Sequence, residues 1–510
     1  MKKEKIIAML SLAILMTALI AGCRSADKSS NLSKQNASIQ AQSDVSGKTG
    51  SLKWYVVAAT GPQADSDRVQ KAMSDYINET YGWNIELELV FNDYASHTDK
   101  MQMVIAGGEE YDLCYTSSWC NNYTVNVNKN AYIPLDDLLE EYGQELYNSI
   151  PEGVWEGVKI GGQIYGVPNY QLMYKQCSVA IPVKYVEEFQ LDVDSVKTIY
   201  DLEDFMYAVK KKYPEIYPLA AYPMFANRMK NGLGMEEIID YDYPGMFKMF
   251  DESLTVYNQY ESEEYMKFYE YMYKWAQDGL IKMDAISVQD QSLADLQAGI
   301  HVIGLEDTYQ PEIEKSRWNN YFGGQECVMI KLSEPYMSTA ATIATLTSIS
   351  TTCKNPELAI QFLNLINTDP VLYNMACFGI EGVHYTLNDN GTVTSDEASG
   401  YNPNSDWVFG NQFNAFPRDS QSPDIWVKIK EYNDTAKVSC AMGFSFDSSV
   451  VDSELSAISA VTGEYLPQLS VGAVDPKTAV PEMMKKLEAA GMDAVLEEMQ
   501  KQVDEWKAEK

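Results

Sequence analysis

Beyond residue 50, apolar and polar positions follow two periods in turn. Ser51 to Ala59 is a short apolar run of strand character, and Asp67 to Thr80 follows with Val69, Ala72, Met73, Tyr76, Ile77 and Thr80 at helical spacing. Gly82 supplies a residue that ends such a helix. Ile85, Leu87, Leu89 and Phe91 then alternate with Glu86, Glu88 and Val90, which places them on one face of a second strand. A helix from about Ser96 to Ala106 closes on Gly107-Gly108, and Tyr111 to Tyr115 reads as a third strand. Strand and helix in alternation predict a parallel sheet with right-handed crossovers.

Open parallel sheets place ligands at the carboxyl ends of their strands. Three loops therefore become candidates: Thr60-Gly61-Pro62-Gln63, Asn92-Asp93-Tyr94 and Thr116-Ser117-Ser118-Trp119. Each carries hydrogen-bonding side chains and two carry an aromatic ring, a mixture suited to a polar ligand with apolar faces. Further on, Thr198 with Asp201 has the spacing of a capping box, and Ser262 to Asp278 reads as a helix stopped by Gly279. Asn355-Pro356 and Asp369-Pro370 each set a capping side chain before a first-turn proline. The last 36 residues read as two helices broken near Gly491. No internal repeat and no second linker is visible, so two lobes are expected to interleave rather than follow in series.

The N-terminus changes the picture. Lys2, Lys3 and Lys5 precede an apolar run from Ile6 to Ile20, shorter than the ~20 residues of a spanning helix, and Ile20-Ala21-Gly22-Cys23 follows. This predicts a secretion signal over 1–22. Residues 24–50 hold seven serines and no aromatic residue, the composition of a flexible tether.

Asp and Glu outnumber Lys and Arg by 73 to 39, for a net charge of −34, which repels nucleic acid and anionic lipid headgroups. Seven cysteines after Cys23, with no C-x-x-C, declare no disulfide framework; a Cys114 to Cys120 bridge is left open. Histidines 97, 301 and 384 are not spaced as a metal pair, and no zinc-protease, serine-hydrolase, Walker or dinucleotide motif is present. An enzyme is the main rival class, for example a surface glycoside hydrolase using two carboxylates. A second rival keeps a binding fold with another cargo such as a peptide. No Lys or Arg stands in the three loops, which favours a neutral or weakly charged ligand.

Several blocks carry a resemblance: GGEEYDL (107–113), IPLDDLL (133–139), GGQIYGVP (161–168), CKNPELAIQFLNLINTD (353–369), FGIEGVHY (378–385), WVFGNQF (407–413) and LEAAGMDAVLEEMQKQVDEW (487–506). In order and spacing, and with a lipobox-like Cys23, they resemble the extracellular solute-binding proteins of carbohydrate ABC importers. Within the maltose-binding-protein-like superfamily they are most similar to the large Gram-positive lipoproteins. The resemblance implies an α/β, two-lobed periplasmic-binding-protein-like fold of type II, with a hinge and a ligand cleft between interleaved lobes. It implies lobe 1 over 51–168 plus 328–378, and lobe 2 over 169–327 plus 379–510 with a C-terminal helical extension. Cys23 is implied as the lipidated residue, anchoring a monomer to the outer face of the cell membrane beside permease subunits, with no cofactor, no metal and no catalysis. Ligand-binding candidates are Gln63, Asp93 and Trp119 on the first loops, and Tyr170 and Tyr174 after the first crossing. Tyr309 follows the strand His301–Leu305, Tyr336 lies by the second crossing, and Glu381, His384 and Trp407 come from the subgroup blocks.

Overall fold

The period-two and period-3.6 segments form the elements they predict. The computed structural model describes residues 48–509 apart from 240, 283, 289–291 and 312; the signal, Cys23 and nearly all of the tether lie outside the described residues. Strand β1 (Thr49–Val57), helix α1 (Ser66–Tyr81), strand β2 (Asn84–Asn92), helix α2 (Tyr94–Gly107) and strand β3 (Leu113–Thr116) follow in order. The sheet runs β2-β1-β3, all parallel, and continues with the antiparallel strand Leu346–Ile349 and then Val167–Pro168. Cys114 and Cys120 are both free thiols.

β2 is an edge strand, and α1 covers its open side with a polar stripe. The amides of Ile85, Leu87 and Leu89 donate to Asn78 Oδ1 (2.8 Å), Ser74 Oγ (3.0 Å) and Gln70 Oε1 (2.8 Å). The match is geometric. Four helical residues rise about 6.0 Å and two strand residues about 6.6 Å, so i, i+4, i+8 on the helix meets i, i+2, i+4 on the strand. Asn78 also donates Nδ2–H to the Ile85 carbonyl at 3.0 Å. Asn78→Ala should therefore lower unfolding stability by about 1–2 kcal/mol in urea titrations, because it strands two backbone groups of an edge prone to pairing. An unchanged midpoint would show that water replaces the side chain without cost.

Two large cores divide the described chain. The first draws on residues between Leu52 and Met173 and between Met337 and Ile429, plus Met442. The second draws on Cys177 to Leu305, Ile330 and Leu332, and Ala441 to Val503. Its sheet is small and antiparallel, with Ser178–Pro182 between Gly304–Glu306 and Cys327–Lys331. Val179 and Ile181 face the second core, while Ala180 faces a minor cluster with Trp318 and Phe322, as a period of two requires. Helices Asp452–Ser470, Pro476–Ala489 and Met492–Glu509 complete this lobe.

Two expected boundaries move. The strand Cys327–Lys331 pairs within lobe 2, so the return to lobe 1 falls near Met337 rather than at 328. Tyr385, Val393, Tyr401, Val408, Phe409, Ile425 and Ile429 pack into the first core, so the third crossing falls between Ile429 and Ala441 and not at 379. The crossings lie side by side. Lys175 and Tyr336 exchange backbone hydrogen bonds of 2.8 and 3.0 Å, and Tyr336-Met337 pairs in parallel with Lys437-Val438. This three-ply ribbon is the mechanical link between the lobes.

Candidate functional site

The carboxyl ends of β2 and β3 carry a shelf of aromatic rings. The turn after β3 is held from within: Ser117 Oγ accepts from the Cys120 amide (2.8 Å) and donates to the Cys120 carbonyl (2.9 Å). Asn121, at φ +50°, donates Nδ2–H to the Tyr115 carbonyl at 2.9 Å. Trp119 projects from this turn with 54% of its surface exposed, and its indole Nε1–H donates to the Ala344 carbonyl at 2.9 Å. One bond thus holds the ring while about half of its surface stays open to solvent. Around it stand Tyr94 (5.8 Å between centroids), Trp407 (6.1 Å) and Tyr115 (6.2 Å).

Trp407 enters from another part of the chain. Val408 and Phe409 beside it are buried, Phe409 packing edge-on against Trp54 and Phe91, and Asn169 donates Nδ2–H to the Val408 carbonyl at 2.7 Å. Tyr94 stacks on Trp407 at 5.9 Å with 26° between planes, and shares a 2.6 Å hydrogen bond with Ser405. Burial raises the Tyr94 phenol above its ordinary value, so it stays protonated at neutral pH.

Ser118, the residue before Trp119, lines a groove of about 800 Å³ between the lobes. Lobe 1 contributes Ser118 and, from helix α3 (Tyr123–Asn128), Thr124, Val125 and Asn128. Lobe 2 contributes Glu236, Tyr243, Phe247, Phe444 and Phe446, and the lobe 1 segment just past the second crossing provides Thr339, Ala340 and Ile343. Thr124 and Ser445 meet across it, hydroxyl to hydroxyl, at 3.2 Å. The size is that of small-molecule sites, and rings with convergent polar groups are the lining such sites use.

The structure brings together only some of the candidates. Trp119 and Trp407 share the shelf. Gln63 is occupied locally, donating to Thr60 Oγ1 and the Gly61 carbonyl and accepting from the Asn402 amide. Asp93 caps α2, accepting from the Ser96 amide (2.9 Å) and hydroxyl (2.6 Å). Tyr170 is a core ring against Phe413, and Tyr174 is buried in a stack with Tyr432. Tyr309 is half-buried against Tyr432 with the Lys331 ammonium 4.8 Å from its centroid. Tyr336 is buried, its hydroxyl accepting from Asn231 Nδ2 at 2.8 Å, which anchors the hinge ribbon. His384 is fully buried: Nδ1 accepts from the Ile380 amide and Nε2 bonds Asp65 Oδ2 at 2.8 Å, tying the end of a lobe 1 helix to the start of α1. Glu381 is exposed in the adjoining turn. Contributors absent from the sequence expectations include Tyr94, although its loop is a candidate there, and the groove-lining Tyr243, Phe247, Phe444 and Phe446; the last two alternate with Gly443 and Ser445 over a stretch too short to read as a strand.

Among the described residues no cluster of His, Cys, Asp or Glu could hold a metal ion, and no helix is long and apolar enough to cross a membrane. A domain of unknown function, DUF3502, matches residues 440–508. A carbohydrate ABC transporter substrate-binding protein of Streptococcus pneumoniae serotype 4 is 27% identical over 473 residues, 90% of this chain and 92% of the relative. The crystal structure of the N-glycan transport solute-binding protein NgtS from Streptococcus pneumoniae superposes with a TM-score of 0.76 at 24% identity, covering 90% of this chain and all of that one. The same protein in complex with Man5GlcNAc superposes at 0.63, with 25% identity over 90% and 99% of the two chains. These similar proteins are transport components rather than enzymes. Across nine-tenths of its length the chain is similar in sequence to a carbohydrate ABC transporter substrate-binding protein, and its fold is the two-lobed α/β fold of solute-binding proteins.

Proposed function

We propose that this chain is the substrate-binding component of an ABC importer, capturing an oligosaccharide between its lobes and passing it unchanged to membrane permease subunits. The observation that carries the reading is Trp119, held by one hydrogen bond and half exposed beside a groove that both lobes line. An indole face covers the C–H face of a sugar ring, while hydroxyls, amides and carboxylates along the groove read its polar edge. Ligand that touches both lobes stabilises the closed arrangement over the open one. Cys23 would carry the lipid, and residues 24–50 would hold a monomeric body outside the cell membrane.

Calorimetry and thermal shift against a panel of neutral oligosaccharides, Man5GlcNAc among them, test this. A ligand at 100 times its Kd should add about 2.7 kcal/mol to the native state and raise Tm. Chromatography should recover the sugar intact. A panel without any binder, or prompt conversion of a bound sugar, would overturn the reading.

A further inference from the structure

Charge is unevenly placed around the groove. Glu237, Asp447 and Asp452 line it as carboxylates, and Glu236 as a carboxyl that burial keeps protonated at neutral pH, against Lys129 as the one lining cation among the described residues. Lys230 lies 3.4 Å from Glu237 Oε1 and offsets that carboxylate, but Glu237 Oε2 is buried with no hydrogen-bond donor. Asp447 and Asp452 are exposed at the rim, and the chain as a whole carries −34. Carboxylate oxygens only accept hydrogen bonds. A ligand seated against this wall satisfies it by bringing donors, which sugar hydroxyls supply and a sugar carboxylate does not.

We infer that the groove is a charge filter which, on the binding reading above, admits uncharged oligosaccharides and rejects those bearing carboxylates. Like charges brought together in a partly desolvated groove repel strongly enough to cost affinity tenfold or more. Asp447 and Asp452 belong to the matched segment 440–508. The filter therefore gives that segment of unassigned function a task in ligand discrimination, in addition to its three packed helices.

The test compares a matched pair by calorimetry on the full folded chain: Man5GlcNAc, and Man5GlcNAc with its primary hydroxyls oxidised to carboxylates. At about 20 mM salt the oxidised sugar is expected to bind at least tenfold more weakly. The gap should narrow in about 1 M salt, where screening acts within about 3 Å. It should also narrow in the double variant Asp447→Asn and Asp452→Asn, since asparagine removes the charge and keeps an oxygen for the Ser449 amide and the Ser448 hydroxyl that these side chains accept from. Equal affinities at low salt, or a gap that neither salt nor the double variant changes, would overturn the filter and leave the binding reading standing. Failure of the neutral sugar and of every other neutral oligosaccharide removes the binding reading itself.

Discussion

Trp119→Ala should weaken oligosaccharide binding by roughly 50- to 100-fold while leaving the melting temperature within a degree or two of the wild type. The first half follows from area. An indole face covering about 100 Å² of sugar C–H surface contributes about 2.5 kcal/mol at 25 cal/mol per Å², close to two decades in Kd. The second half follows from exposure, because a ring with 54% of its surface open contributes little to the core beneath it. Trp119→Phe separates two roles. It keeps an aromatic face but loses the Nε1–H bond to the Ala344 carbonyl, so the smaller ring is no longer held in place and about a tenfold loss is expected. His384→Ala is the contrasting control. His384 joins the Ile380 amide to Asp65 inside lobe 1, so its loss should lower stability and leave Kd within twofold. Wild-type affinity in Trp119→Ala would remove the shelf from the ligand site.

The sequence and the structure agree most where a local rule is enough. The first five elements were legible because their apolar positions repeat at 2 or 3.6 residues. The starts at Asn355 and Asp369 were legible because a capping oxygen followed by proline has few other uses; both side chains accept from an amide two or three residues on, and Asp475 caps the helix Pro476–Ala489 in the same way. Thr198 and Asp201 do form a capping box, although it opens a short tight turn before the helix Glu203–Lys212.

What failed required knowledge of long-range packing. Residues 385–429 form one short hairpin, two tight turns and one helix, and nothing in such a segment states which core it joins; it joins the first. The tyrosine hydroxyls were equally mute. Tyr336 lies beside a crossing, as a ligand residue would, but its hydroxyl meets Asn231, 105 positions away. Gln63 and Asp93 stand on the right loops but are consumed by holding those loops in shape. Trp119 and Trp407 escaped this ambiguity because neither is used up by the core: one is open to solvent and the other is only half covered.

Glu236→Gln should make the protein more stable, and increasingly so as pH rises. Glu236 is only 6% exposed, on the groove wall where the strand Met235–Glu237 meets the third crossing, and Ser439 Oγ lies 2.8 Å from both of its oxygens. Burial, with a lesser contribution from the neighbouring Glu237 carboxylate, pushes its carboxyl up to about 8. An acid raised on folding destabilises the native state in a defined window. Below about pH 4.5 both states hold the proton and no penalty exists; between there and about 8 the unfolded chain releases it and the folded chain does not. Every tenfold difference in proton affinity between the two states is worth about 1.4 kcal/mol, so the penalty grows with pH to a few kcal/mol, and saturates above the folded value. Glutamine has nearly the same shape, keeps an oxygen for Ser439 and does not titrate. Urea unfolding at about pH 5, 7 and 9 should give variant and wild type nearly equal stability at the lowest pH, with the variant ahead by about 2–4 kcal/mol at the highest. Titration elsewhere in the chain cancels in the difference. Parallel pH profiles for the two proteins would mean that water reaches this carboxylate and that the hinge ribbon carries no buried acid.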